Sequence, residues 1–174
     1  MVCGSAALEA RSLRVKEWKD PFTEEQFVET EPIRLTQAHF STGRGAFLAI
    51  VIQRSQAREA DPLFHVNVYC GRKKGRQMSS PPGPTLMMVI DNRKLSYESR
   101  GSAVIQPAPG AGAPTEPHLY YEGIDPDDLV SLARAHAAKI RITLDTDSIT
   151  ADLDNQGQSL LQEFIDAYGP NRDR

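Results

Sequence analysis

The fold is decided by the stretch Asp125–Leu153, which reads DPDDLVSLARAHAAKIRITLDTDSITADL. Asp125 can cap a helix whose first position is Pro126. Asp127 and Asp128 place negative charge in the first turn, where the helix dipole favours it. The residues that then recur at the spacing of one helical face are Leu129, Leu132, Ala133 and His136. The pattern predicts a helix that packs on a sheet.

Two alternating stretches and a second helix complete this C-terminal third. Ile140–Leu144 and Ile149–Leu153 alternate between apolar and polar residues and are joined by the polar segment Asp145–Ser148, which indicates a hairpin. A helix capped by Asp154 or Asn155 follows and stops at the Gly-Pro pair after Tyr168. The predicted order is therefore helix, hairpin, helix.

The residues before Asp125 are rich in predicted strands. Phe47–Ile52 is apolar on both faces, as expected of a central strand, whereas Leu63–Cys70 alternates. In that second strand Phe64, Val66, Val68 and Cys70 are predicted to face the core, and His65, Asn67 and Tyr69 to form a wetter face. Further strands are predicted at Ile33–Phe40, with a bulge, and at Leu86–Ile90, Leu95–Glu98, Ala103–Ile105 and His118–Glu122.

Length and composition place these elements in one α+β domain. The chain has 174 residues, close to one average domain, and its hydrophobic and charged contents are those of a soluble globular protein. We expect an antiparallel sheet of about six to eight strands packed by the two C-terminal helices. Residues 1–10 are predicted to form a flexible tail, and residues 11–170 the single domain.

Charge and motifs exclude several functions. The formal net charge of -3 provides no broad positive field and argues against a nucleic-acid partner, and no stretch is apolar enough for a transmembrane segment. The sequence has no Gly-rich loop of the kind that binds the phosphates of a cofactor, so no cofactor is predicted. It also lacks the Gly-x-Ser-x-Gly motif of serine hydrolases, and no catalytic residue is predicted. The partner is undetermined, a protein or a small molecule, and so is the compartment. As the chain stands, we expect a cytoplasmic protein. If a signal segment was removed from it, we expect an envelope or secreted protein instead.

The predicted ligand-binding surface combines one strand face with the basic loop that follows it. Its residues are His65, Asn67, Tyr69, Arg72, Lys73, Lys74 and Arg76. The loops 72–84 and 106–117 flank this surface, and loops on a rigid scaffold are where binding residues concentrate.

No metal site is predicted, although one acidic segment is a weak alternative. Asp152, Asp154 and Glu163 occupy ligand positions of a calcium loop, with Gly157 at the turn position. Gln156 is a poor ligand in that pattern, and the segment before it resembles a strand. Capping of the last helix accounts for the same residues.

The sequence leaves three functions open. The first is a non-catalytic binding or accessory domain of unknown ligand. The second is an enzyme whose site is assembled by the fold from His39 and His65 with an acidic neighbour. The third is a lipid-anchored bacterial envelope protein, because Cys3 followed by Gly-Ser is typical of processed lipoproteins.

Overall fold

The computed structural model describes residues 13–43, 45–58, 60–72, 80–99, 102–104 and 117–170. In chain order the elements are β1 (Val15–Lys19), β2 (Gln26–Thr30), β3 (Ile33–Arg34), β4 (Thr36–Phe40), β5 (Ala46–Gln56), β6 (Leu63–Arg72), β7 (Pro84–Ile90), β8 (Arg93–Glu98), β9 (Ser102–Val104), β10 (Pro117–Tyr121), α1 (Pro126–Arg134), β11 (Ala138–Thr143), β12 (Ser148–Asp152) and α2 (Asn155–Tyr168).

The strands form two antiparallel sheets. A seven-stranded sheet has the order β1-β2-β5-β6-β10-β9, with β3 also paired to β5, and a five-stranded sheet has the order β4-β12-β11-β7-β8. The predicted α+β class, the antiparallel pairing and the two C-terminal helices are confirmed. Where the sequence predicts one sheet, the strands are divided between two.

The division begins in the segment Ile33–Phe40, where the sequence predicts one bulged strand. Ile33 and Arg34 pair with β5 in the seven-stranded sheet, whereas β4 pairs with β12 in the five-stranded sheet. Gln37 adopts a φ of 53°, a left-handed conformation that is rare for residues with a side chain. The prediction of a single strand is therefore wrong, whereas the predicted bulge is present, because the β4–β12 register shifts between the pairs Thr36–Asp152 and His39–Thr150, on either side of Gln37.

One hydrophobic core joins both sheets and both helices. In the seven-stranded sheet it contains the alternate residues Leu48, Ile50 and Ile52 of β5 and Phe64, Val66, Val68 and Cys70 of β6. The five-stranded sheet and the helices contribute Leu86, Met88, Ile140, Ile142, Leu129, Leu132, Leu161 and Phe164. Burial of each large apolar side chain stabilises the fold by about 1.5–3 kcal/mol before ordering costs.

The two helices begin where their caps predict. The side chain of Asp125 accepts a hydrogen bond from the Asp127 amide at 2.9 Å, and that of Asp154 accepts one from the Gly157 amide at 2.9 Å. Helix α1 ends at Arg134, so the prediction that His136 belongs to its packed face is wrong: His136 lies beyond the helix and is exposed. Neither helix is long and apolar enough to cross a membrane in the part of the chain described.

Helix α2 also holds the first strand. The Leu13 amide donates a hydrogen bond to Oε2 of Glu163 at 2.9 Å, and the Tyr168 hydroxyl donates one to Oε1 of Glu17 at 2.7 Å. Since β1 is an edge strand of the seven-stranded sheet, these contacts fix that edge to the last helix.

Candidate ligand-binding site

The seven-stranded sheet has a second face, turned away from the hydrophobic core, that is also buried at its centre. We call it the His65 face and define it by Ala49, Val51, Ser55, His65, Asn67, Tyr69 and Tyr120. Strand register brings these residues together, because Val51 and Tyr120 both lie opposite Asn67, and Ala49 lies opposite Tyr69. They alternate with core residues along β5, β6 and β10.

Burial on the His65 face corrects one sequence prediction. The two faces of β6 separate as predicted, but His65 and Asn67 on the polar face are not solvated. Only 6 % of the surface of His65 and 4 % of that of Asn67 is exposed. Side chains of the neighbouring strands β5 and β10 surround them, since β6 is paired on both edges. Buried polar groups in such a position require partners.

His65 has a partner for one ring nitrogen. Its Nε2 lies 3.1 Å from the hydroxyl of Ser55, and its ring stacks on that of Tyr120 with centroids 5.4 Å apart. Among the described residues, Nδ1 has no hydrogen-bond partner. Burial lowers the pKa of His65 below its usual 6.5, although the carboxylates of Glu122 and Glu25 act in the opposite direction. The imidazole is therefore held neutral at neutral pH.

An open cavity of about 660 Å³ lies against this histidine. The residues that give its walls their chemistry are Glu25, Phe27, His65, Glu98, Tyr120 and Glu122. They come from the start of β2, from β6, from the end of β8 and from the end of β10, so both sheets contribute. Gly123 closes the wall with a φ of 64°, which lets the chain turn from β10 towards α1.

The structure separates the predicted ligand-binding residues. His65 lines the cavity, and Asn67 and Tyr69 follow it along the same face. Arg72 is the last residue of β6. The other three basic residues, Lys73, Lys74 and Arg76, lie outside the described part of the chain, as do residues 105–116 of the second loop and the predicted lipid-anchor position Cys3.

His39 does not share a site with His65. It lies on β4 in the five-stranded sheet, where it is exposed and its Nδ1 is 2.9 Å from the carbonyl of Gln37. It is not among the residues that line the cavity. The carboxylates that line the cavity together with His65 come from Glu25, Glu98 and Glu122.

Each residue of the acidic segment has a partner within the protein. Asp152 pairs with Lys139 at 2.9 Å, Asp154 caps α2, and Glu163 accepts from the Leu13 amide. Within the ranges that the structure describes, no three side chains of His, Cys, Asp or Glu are grouped so that they could hold a metal ion.

Sequence reasoning missed Ser55 and the three cavity glutamates. Strand β5 extends to Gln56, past the apolar run that ends at Ile52, and this extension places Ser55 beside His65. The polar residues Gln53, Arg54 and Ser55 conceal that extension in the sequence. The glutamates lie at the ends of strands far apart in the chain, and only the tertiary fold brings them together.

Comparison of the chain with protein-family models, with curated proteins and with solved structures gives no match. The function therefore has to be argued from the chemistry of the cavity and its histidine.

Proposed function

We propose that this protein is a non-catalytic binding module that holds a small molecule, or one side chain of a protein partner, in the cavity beside His65. The observation that supports this most is an open cavity to which both sheets contribute, and in which Phe27, His65 and Tyr120 lie beside the carboxylates of Glu25, Glu98 and Glu122.

The walls of the cavity also suit binding. Apolar and aromatic surface from Phe27, Leu63 and Tyr120 is combined with a few polar groups that come from separate strands. Concave sites with this mixture are the usual places where small ligands are held, because apolar contact supplies affinity and the polar groups fix orientation.

The test is a thermal-shift screen of metals, nucleotides, fatty acids, sugars and amines on three proteins. Leu63 lies on the cavity wall with 56 % of its surface exposed, so Leu63→Trp should fold and fill the cavity. Phe22, exposed at 93 % in the β1–β2 turn, provides the matched control Phe22→Trp. A cavity ligand raises the melting temperature of the wild type and of Phe22→Trp but not of Leu63→Trp. Equal shifts in all three proteins, or no shift with any compound, would contradict the proposal.

A second candidate function is hydrolysis, favoured by the contact between Ser55 and His65. A serine hydroxyl 3.1 Å from an imidazole nitrogen has the spacing of a nucleophile and its general base. In such pairs a third group usually orients the histidine through its other nitrogen, and here no described residue does so. Ser55 is itself buried, at 3 % exposure.

A fluorophosphonate probe separates the two candidates. Labelling of the wild type that is lost in Ser55→Ala would establish Ser55 as a nucleophile and favour the enzyme. Absence of labelling, in a protein that still binds a ligand of the cavity, supports the binding module.

A further inference from the structure

The cavity beside His65 carries negative charge on several sides. Glu25 precedes β2, Glu98 ends β8 and Glu122 follows β10, and all three line the cavity. No lysine or arginine is among its lining residues in the described part of the chain. Like charges that line one cavity repel one another, and a bound cation offsets that repulsion.

Each aromatic residue of the cavity stacks on a neighbouring ring. Phe27 stacks on Trp18 with ring centroids 5.1 Å apart and planes 7° apart, and Tyr120 stacks on His65. The faces of such rings attract cations. The same sheet already shows this interaction within the protein, because the Lys16 ammonium lies 5.1 Å from the centroid of the Trp18 ring.

His65 brings no positive charge of its own to this wall. Burial lowers the pKa of its imidazole, which is therefore neutral at neutral pH. A charged imidazole would oppose a cationic ligand, so a neutral histidine suits a cation.

Among cations, a guanidinium group matches these walls best. It is planar, so it can stack on an aromatic ring such as Tyr120, and its several N–H groups can donate to more than one carboxylate at the same time. We propose that the His65 cavity recognises an organic cation bearing a guanidinium group, either as a free small molecule or as an arginine side chain of a peptide. This inference rests on the proposed function and names its ligand class.

Calorimetric titration of the full chain tests the proposal with two nearly isosteric probes. N-acetylarginine amide carries the positive charge, and N-acetylcitrulline amide lacks it. Two of the three cavity carboxylates are neutralised by the double variant Glu25→Gln/Glu98→Gln. The control is Glu163→Gln, which makes the same change on α2 away from the cavity and retains an oxygen that can accept from the Leu13 amide.

The arginine probe is expected to bind the wild type and Glu163→Gln at least about tenfold more tightly than the citrulline probe, which corresponds to about 1.4 kcal/mol. In the double variant this preference should fall to about twofold or less. Equal affinity of the two probes for the wild type, or a preference that survives in the double variant, would overturn the cation proposal.

Leu63→Trp separates failure of this inference from failure of the proposed function. If the arginine probe does not bind but another compound binds in a way that Leu63→Trp abolishes, the binding module stands and the cation is wrong. If the arginine probe binds Leu63→Trp as well as the wild type, the cavity is not its site and both proposals fail. Tighter binding of a capped Gly-Arg-Gly peptide than of the free probe identifies a peptide as the source of the cation.

Discussion

At the scale of single residues, His65 combines burial, a defined partner for one nitrogen and an acidic neighbourhood. Burial lowers its pKa, while Glu122 and Glu25 favour the charged form. Its contacts otherwise come from Ser55 on β5 and Tyr120 on β10. This balance matters because a protonated imidazole would place a positive charge beside the three carboxylates of the cavity, whereas a neutral imidazole adds none.

This histidine should make stability depend on pH. Its pKa in the folded protein is below the unfolded value of about 6.5, so the unfolded state binds more protons as pH falls. The stabilisation is fully present above pH of about 6.5 and is lost as the pH falls through the lower folded pKa. Urea titrations between pH 7.5 and 5 should show a smaller decline in the free energy of unfolding for His65→Gln than for the wild type.

His39 provides the control for that experiment. It is exposed on β4, and His39→Gln removes a histidine without changing the His65 face, so the two variants are compared over the same pH range. If the free energy of unfolding of His65→Gln declined with pH as steeply as that of the wild type, the proton would be taken up by another group.

The sequence predicts His65 on a polar strand face, and it predicts little else of the candidate site. Alternation along β6 is a local signal, and it separates His65 from Phe64 and Val66 correctly. The burial of that face comes from β5 and β10, which are neighbours only in the folded sheet. Glu25, Glu98 and Glu122 have no shared spacing in the chain, so no sequence pattern could have connected them.

At the scale of elements, Asp147 connects two turns. It lies between β11 and β12 and accepts hydrogen bonds from the hydroxyls of Ser41 and Thr42, which follow β4. It also accepts from the backbone amides of Ser41, at 3.1 Å, and of Ser148, at 2.7 Å. These bonds, chiefly those from the two hydroxyls, lower the pKa of Asp147 to about 2.

Replacement of Asp147 should reduce the acid sensitivity of the protein. Because its folded pKa is depressed, its stabilisation is present above the unfolded value of 3.8 and is lost as the pH falls towards about 2. Asp147→Asn should be less stable than the wild type at pH 6, and the difference should shrink between pH 4 and 2. Circular dichroism during urea titration at each pH measures both quantities.

Asp61→Asn is the comparison, since Asp61 is exposed. A constant difference between Asp147→Asn and the wild type at all these pH values would contradict the assigned role of the carboxylate.

The elements that the sequence could predict are those whose signals lie within a few residues of one another. Both helices begin at aspartate caps and the β11–β12 hairpin follows period-two alternation, all of which are signals within a few residues. The transfer of the chain between sheets after Leu35 is different, because the change of phase predicts the bulge in β4 but does not show that the residues before it pair with another strand. Only the pairing partners, β5 for β3 and β12 for β4, reveal the two strands.

At the scale of the whole molecule, the shared core predicts that both sheets unfold together. Leu132 of α1 is fully buried in that core, whereas Trp18, the only tryptophan of the chain, lies on the edge strand β1. Leu132→Ala should reduce the free energy of unfolding by about 2–5 kcal/mol. The tryptophan fluorescence and far-ultraviolet dichroism transitions should shift together to the same lower denaturant concentration.

Ser159→Ala, on the exposed side of α2, is expected to change stability by no more than about 0.5 kcal/mol. Separation of the two transitions in Leu132→Ala would mean that the sheets unfold independently. That outcome would also overturn the prediction that residues 11–170 form one domain.

The two contacts between the start of the chain and α2 affect how the protein can be made. Leu13 and Glu17 bond to residues 150 and 151 positions later. At about 5–20 residues per second, a ribosome needs roughly 8–30 s to synthesise that interval. Throughout that time the nascent β1 segment lacks the two helix residues to which it bonds in the folded protein, so this edge of the sheet is completed only after synthesis of α2.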